Sequence, residues 1–508
     1  MLTPAYTRQF ERDTKKAACI AILGTGSDVG KSIVVTAFCR ILADRGVRVA
    51  PFKAQNMSNN SGVTLEGLEM GRAQIVQAEA ARIVPHVDMN PVLLKPTSEM
   101  GAQVVLNGVV LRDASAKAYH RDKDRLFVES RAALDRLRNR YDVVVMEGAG
   151  SCAEVNLMPS DIVNLRMAAY AEAPVIVVAD IDRGGVFAQI VGTLACLPPP
   201  QQAQIRGFIV NRFRGDIDLF KDGAAWIAQK TGKPVFGVLP WFSRFKIEAE
   251  DAVTIQQVSS YRTQPDGIPA VAVIKLPHIS NFTDFDPLAR LDGLQLVYLE
   301  DCQPLEGFSA VILPGSKSTR IDLGWLHHTG WTASLQRYAA SGGHLLGICG
   351  GYQMLGRAVH DPRGVEGTAG STPGLDLLPV ETELNASKTT TLTDFTWEGI
   401  PGRSYEIHMG RTELVAGRPL LTILRRNQIA CNESDGCIGS NEQVLGTYLH
   451  GLFDTPEITR HWLQRIGLRA IQVSPEHGQA ARDAAYDMLA EHTLQHIDMP
   501  AILSLARI

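Results

Sequence analysis

The sequence predicts an α/β protein made of two consecutive units, each a parallel sheet flanked by helices. Three observations carry that prediction. Short apolar runs of strand length alternate with helical patterns through both halves of the chain. The residues with chemical potential cluster just past the carboxyl ends of those runs, where open α/β sheets bind ligands. Between the halves, residues 251–269 carry Ser, Gln, Thr, Pro and Gly with weak periodicity, the composition of a linker. At 508 residues the chain is also too long for one core. The expected organisation is therefore a first unit over 1–250, a linker over 251–269, a second unit over 270–460, and a helical tail over 461–508. The tail's apolar positions, such as Trp462, Leu463, Ile466 and Leu468, are expected to pack against the second unit.

Within the first unit, residues 17–23 read as a buried parallel strand. Gly24-Thr25-Gly26-Ser27-Asp28-Val29-Gly30-Lys31-Ser32 follows, and then a helical pattern that stops at Gly46. Strand, Gly-rich turn and helix make a phosphate cradle, because the turn and the helix start both present free N–H groups. Gly26, Gly30, Lys31 and Ser32 are the ATP-binding candidates: Lys31 for the outer phosphates, and the Ser32 hydroxyl for Mg²⁺. The first Gly of the strict motif would fall at Thr25; here Gly24 stands one place earlier.

Residues 47–52 form the next apolar run, and Lys53-Ala54-Gln55-Asn56-Met57-Ser58-Asn59-Asn60-Ser61 lies at its end. Amides and a Lys in such a place suit phosphate, carboxylate and amide recognition, so Gln55, Asn56, Asn59 and Asn60 are substrate-binding candidates. A helix is expected over 70–83 and an outer charged helix from about 117 to 140. The strand at 141–146 ends in Glu147-Gly148-Ala149-Gly150, and the strand at 174–179 ends in Asp180-Ile181-Asp182-Arg183. An acid at the end of a strand beside a phosphate loop is where a second Mg²⁺ contact is found, which assigns Glu147 and either Asp180 or Asp182 to metal. Arg183 is a candidate for a phosphate or a substrate carboxylate. Asn211, at the end of the strand at 207–210, is a candidate to read adenine.

In the second unit, residues 270–276 and 310–313 are strands, and the latter runs into Pro314-Gly315-Ser316-Lys317. Another apolar run meets Gly347-Ile348-Cys349-Gly350-Gly351 and then a helix. That is a nucleophile elbow with Cys in place of Ser, on a turn that requires small neighbours. The helix start favours a thiolate and helps hold an oxyanion. About a hundred residues on, Gly446-Thr447-Tyr448-Leu449-His450-Gly451 places a His at a strand end as candidate base and acid for Cys349.

Composition excludes several other classes. A net charge of −4 offers no footprint for nucleic acid or an anionic membrane. The polar N-terminal sixteen residues lack a signal-peptide core, and no apolar stretch approaches the roughly 20 residues of a membrane span. Eight scattered cysteines without paired spacing suit a reduced, cytoplasmic setting.

The elbow and the downstream His resemble the class I glutamine amidotransferases, in which a Cys thiolate releases ammonia from glutamine. Their His is usually followed two residues later by Glu; here that position is Leu452, with Asp454 and Glu457 close by in sequence. The phosphate loop resembles that of dethiobiotin synthetase, whose relatives activate carboxylates with ATP. Both features together, with Pro51–Asn60, 147–151, 180–187, 279–288, Tyr405-Glu406-Ile407-His408-Met409-Gly410 and 447–451, resemble the corrin-ring amidases of cobalamin biosynthesis. The resemblance implies a dethiobiotin-synthetase-type first domain and a glutamine amidotransferase-like second domain. It implies phosphorylation of the b, d, e and g carboxylates of a corrinoid a,c-diamide by ATP·Mg, then capture by glutamine-derived ammonia. Lys53 then bridges γ-phosphate and carboxylate, and the N–H groups of Gly315 and Gly350 form the oxyanion hole. The expected partners are small molecules alone: corrinoid, glutamine and ATP. Two rivals are a glutaminase serving a cell-wall precursor ligase, and a positioning ATPase with a degenerate glutaminase-like domain; an intact Cys349 and His450 count against the second.

Overall fold

The first apolar run forms the central strand, Ala18–Gly24, of a six-stranded sheet whose order places the phosphate loop at a topological switch point. A computed structural model describes residues 16–98, 101–242 and 267–508. All six strands are parallel, in the order Val235–Pro240, Ile205–Phe213, Val175–Asp180, Ala18–Gly24, Val143–Glu147, Val49–Phe52. The chain leaves the central strand for one edge, returns beside it, and then crosses to the other side. The loops on either side of Ala18–Gly24 therefore diverge and open a crevice. Alternate residues feed two cores: Ala21 and Leu23 on one face, Ile20 and Ile22 on the other.

The polar run after Val49–Phe52 is more ordered than a surface loop. Gln55–Met57 pairs with Val92–Ser98 in a four-stranded sheet completed by Gly101–Leu106 and Val109–Ser115, and Ser61–Val63 pairs with Glu69–Gly71. The expected helix over 70–83 is Arg72–Ala80, and the charged segment divides into Ala116–Arg121 and Lys123–Arg140.

The second sheet runs Gln295–Leu299, Ala270–Ile274, Ala310–Leu313, Leu345–Ile348, Val444–Thr447, with the short Cys437–Ile438 antiparallel at the edge. A long hairpin, Val380–Trp397 and Ile400–Leu414, belongs to a third sheet and brings Lys388 and Ile407 to the cavity at Cys349. Residues 251–266 of the expected linker lie outside the described residues.

The tail departs from expectation. Trp462, Leu463 and Ile466, on and just after the helix Pro456–Arg465, do enter the second unit's core. The helix Gln479–His496 instead crosses back to the first unit and lies on the phosphate-loop helix Lys31–Asp44. Tyr486, Leu489, Ile497, Met499 and Ile502 complete the core face formed by Ile20, Ile22, Phe38 and Ile41. Arg40, fully buried on the phosphate-loop helix, pairs with Asp483 and Asp487 of the tail at 2.8 and 2.6 Å.

Candidate active site

The phosphate loop is held open by its own lysine and a neighbouring strand. Lys31 Nζ donates to the Gly26 and Gly150 carbonyls at 2.8 and 3.0 Å, spanning the turn an anion would occupy. Gly30 has φ +95°, and a Cβ there would stand 2.0 Å from Asn211 Nδ2, so only glycine fits. Asn211 Nδ2 donates to the Val29 carbonyl at 2.9 Å. The structure thus places Asn211 under the loop, where it buttresses the turn.

Glu147 is the hub. Its Oε1 accepts from the Ser32 hydroxyl at 2.8 Å and from Lys53 Nζ at 2.9 Å, while its Oε2 accepts from Gln77 Nε2. A hydroxyl and a carboxylate in contact beside a phosphate cradle fit Mg²⁺, which takes a few hard oxygen ligands and completes its shell with phosphate and water. Asp180 accepts from Arg212 at 2.8 Å and from the Asp182 backbone N–H. Asp182 in turn accepts from Arg214 at 2.6 Å.

A cavity of about 610 Å³ opens here, lined by Lys31, Ser32, Lys53, Gln55, Asn56 and Asn59 among others. Asn59 Oδ1 is buried without a hydrogen-bond partner among the described residues, an acceptor left for a ligand. Two expected ligand residues stand outside this lining. Asn60 Oδ1 accepts from Thr283 of the second unit at 3.2 Å. Arg183 is mostly exposed, 3.6 Å from Asp28. The far wall includes Pro277, Ile279 and Phe282 from the second unit.

Cys349 sits at φ 53°, ψ −110°, a backbone state that L residues rarely adopt outside strained functional turns. The turn is possible because Gly351 has no side chain: a Cβ there would fall 1.9 Å from the Leu313 carbonyl oxygen. Gly350 opens the following helix, so its N–H has no intrahelical acceptor. A Cβ on Gly350 would lie 2.8 Å from Ser316 N, so the loop after Gly315 and the elbow are in contact, as a shared oxyanion site requires.

The residue that orients His450 is Asp284. His450 Nδ1 donates to Asp284 Oδ2 at 2.6 Å, and the Gly451 N–H donates to Asp284 Oδ1 at 2.9 Å. With Nδ1 so engaged, Nε2 is the nitrogen left for the thiol. The Tyr405 ring stacks on the imidazole, with centroids 5.3 Å apart. Burial disfavours the charged imidazole, but the Asp284 carboxylate and the Cys349 sulfur outweigh it and lift His450 to about 10. The two acids near His450 in sequence serve elsewhere or not at all: Asp454 accepts from Arg482, and no contact joins Glu457 to the imidazole among the described residues. Asp284 was within the segment 279–288 already singled out, but it lies 166 residues before His450, and no local spacing could join them.

The two sites share a wall. Ile279 and Phe282 line the large cavity, while Ser280 and Asn281 line the small one around Cys349. Asn281 Oδ1 also accepts from the Ser61 N–H at 3.0 Å, and Lys388 of the hairpin bonds Glu69 of the first unit. Buried Glu69 is held well below the usual carboxylate range, burial notwithstanding, by Lys388 and Lys95.

Comparison with known proteins agrees with this division. Residues 20–255 match the CobQ/CobB/MinD/ParA nucleotide binding domain, and residues 270–458 match the CobB/CobQ-like glutamine amidotransferase domain. The cobyric acid synthase of Chlorobaculum tepidum is 51% identical over 491 residues, covering 96% of this chain and 97% of its own. That of Chlorobium phaeobacteroides is 50% identical over 491 residues, covering 95% and 96%. That of Chlorobium chlorochromatii is 49% identical over 496 residues, covering 97% of each.

Proposed function

The chain belongs to the cobyric acid synthase family of glutamine amidotransferase ligases, and on that premise we propose that it amidates the b, d, e and g carboxylates of adenosylcobyrinic acid a,c-diamide. A carboxylate resists amide formation because its leaving group would be oxide. ATP supplies a better one: the γ-phosphoryl passes to a carboxylate oxygen and ADP departs. Ammonia then attacks the acyl phosphate carbon, loses a proton, and inorganic phosphate leaves with the C–O electrons. Lys31 and the loop N–H groups hold the outer phosphates, and Lys53 lies between phosphoryl group and acid. Ser32 and Glu147 would hold Mg²⁺, which when bound would supply charge stabilisation at the transferring group. Asn56, Gln55 and Asn59 orient the peripheral acid.

Nitrogen comes from the second site. The Cys349 thiolate attacks the side-chain amide of glutamine, Gly315 and Gly350 N–H groups stabilise the oxyanion, and His450 protonates the departing ammonia. Water, deprotonated by His450, then cleaves the thioester to glutamate. The observation that carries this reading is the shared wall: ammonia is released one strand of backbone away from the cavity where the acid is made reactive.

The test is incubation of the purified chain with ATP, Mg²⁺, glutamine and the adenosylated a,c-diamide, followed by mass analysis of the corrinoid. Conversion of the b, d, e and g acids to amides is expected. With heavy-oxygen-labelled carboxylates, label is expected in the released phosphate. ATP hydrolysis without any change in corrinoid mass would overturn the substrate, and unlabelled phosphate would overturn the acyl phosphate.

A further inference from the structure

The cavity at Cys349 carries charges that thiol chemistry does not use. Beside Cys349 and Gln353, it is lined by Lys95, Lys317, Lys388 and Glu366. Two of these lysines are already committed, since Lys95 and Lys388 both bind Glu69. Lys317 is not. Its backbone N–H is fixed on the His278 carbonyl at 2.9 Å, two residues after Gly315 in the oxyanion loop. Its ammonium makes no hydrogen bond or ion pair among the described residues. Glu366 uses Oε2 to accept the Arg320 N–H at 3.1 Å, which leaves Oε1 to the cavity.

Lys317 and Glu366 influence each other's ionisation yet form no ion pair within 4.0 Å. Burial pulls Lys317 down from its ordinary value and pushes Glu366 up to about 7, so each would gain from a counter-charge brought by a ligand. A separated cation and anion beside a nucleophile match one class of molecule: a free α-amino acid, with a carboxylate and an ammonium on one carbon. The cavity holds about 40 Å³, room for a few waters. Glutamine is larger than this space, so its binding requires Lys317 and Glu366 to move aside.

We propose that Lys317 takes the α-carboxylate of glutamine and Glu366 its α-ammonium, so that this pair restricts Cys349 to the free amino acid. The proposal rests on the glutamine-dependent reading given above and adds the residues that set its specificity. Peptide-bound glutamine and simple primary amides lack one or both charges. They would leave a desolvated Lys317 or Glu366 unpaired, which a site built on ionic recognition penalises strongly.

The experiment measures ammonia release by the full chain, with ATP and corrinoid present, from L-glutamine, N-acetyl-L-glutamine and L-glutaminamide. Lys317→Met is expected to raise the glutamine KM about tenfold or more, with kcat changed less than about threefold, and to erase the preference over glutaminamide. Lys317→Arg is expected to restore it. Glu366→Gln is expected to act in the same way against N-acetylglutamine. Glutamine KM values within about twofold of wild type in both variants would overturn the proposal, as would equal losses on all three amides, which indicate a structural role. A wild-type chain that releases no ammonia from glutamine would overturn the underlying reading as well.

Discussion

At the scale of single residues, the thiol site depends on a carboxylate far away in sequence. Asp284 binds both His450 Nδ1 and the Gly451 N–H, so one side chain sets the tautomer and the position of the imidazole. Asp284→Asn removes the charge that opposes the burial of imidazolium, so His450 falls from about 10 and Cys349 loses the cation beside it. Glutamine-dependent turnover is expected to drop by about 10²–10⁴-fold. Turnover within about threefold of wild type would contradict this. The same pair gives a pH-dependent share of stability. His450 is raised above its ordinary 6.5, so its contribution is complete below about pH 6.5 and is lost as pH rises through about 10. Denaturant midpoints of wild type and Asp284→Asn should therefore converge towards pH 10. Cys349 and His450 were legible because each sits in a local pattern of strand, turn and small residues. Asp284 was not, because a partner in a hydrogen bond leaves no trace in spacing.

At the scale of elements, the phosphate loop could be read from a few contiguous residues, whereas the destination of the tail could not. Helical periodicity shows that a segment has an apolar face, and nothing in it says which surface that face will cover. Trp462 and Leu463 go to the nearer core; Tyr486 and Leu489 travel back to the first unit. Arg40 marks that contact, and its burial makes the energetics asymmetric. Arg40 is fully buried, while Asp483 and Asp487 are about half exposed. Arg40→Met leaves two carboxylates that water can still solvate, and is expected to cost about 1–2 kcal/mol. Replacing both Asp483 and Asp487 with Ala strands a buried guanidinium, with Asp44 at 3.6 Å as its remaining counter-charge and the backbone carbonyl of residue 483 at 3.5 Å. That is expected to cost about 3–5 kcal/mol. Urea unfolding of the two variants checks the order: a larger loss for Arg40→Met would contradict it. The small sheets after Phe52 were hidden for a related reason, since Gln55–Met57 is only three residues and polar, and becomes a strand through its pairing with Val92–Ser98.

At the scale of the whole molecule, two chemistries are placed back to back. Segment 277–284 gives Pro277, Ile279 and Phe282 to the large cavity, Ser280 and Asn281 to the cavity at Cys349, and Asp284 to the His450 imidazole. The two-unit plan was readable from alternating strands and helices; the shared wall was not, because it arises from the contacts of Asn60, Ser61 and Glu69 with Thr283, Asn281 and Lys388. The account rests on separate sites for activating the acid and for freeing nitrogen. It is tested most directly by amide formation on the corrinoid with either glutamine or ammonium as donor, in Cys349→Ser and Lys31→Ala. Cys349→Ser is expected to lose the glutamine reaction and keep the ammonium reaction, while Lys31→Ala loses both and retains an alkylable Cys349. Loss of the ammonium reaction in a folded Cys349→Ser chain, or its persistence in Lys31→Ala, would contradict the division of labour.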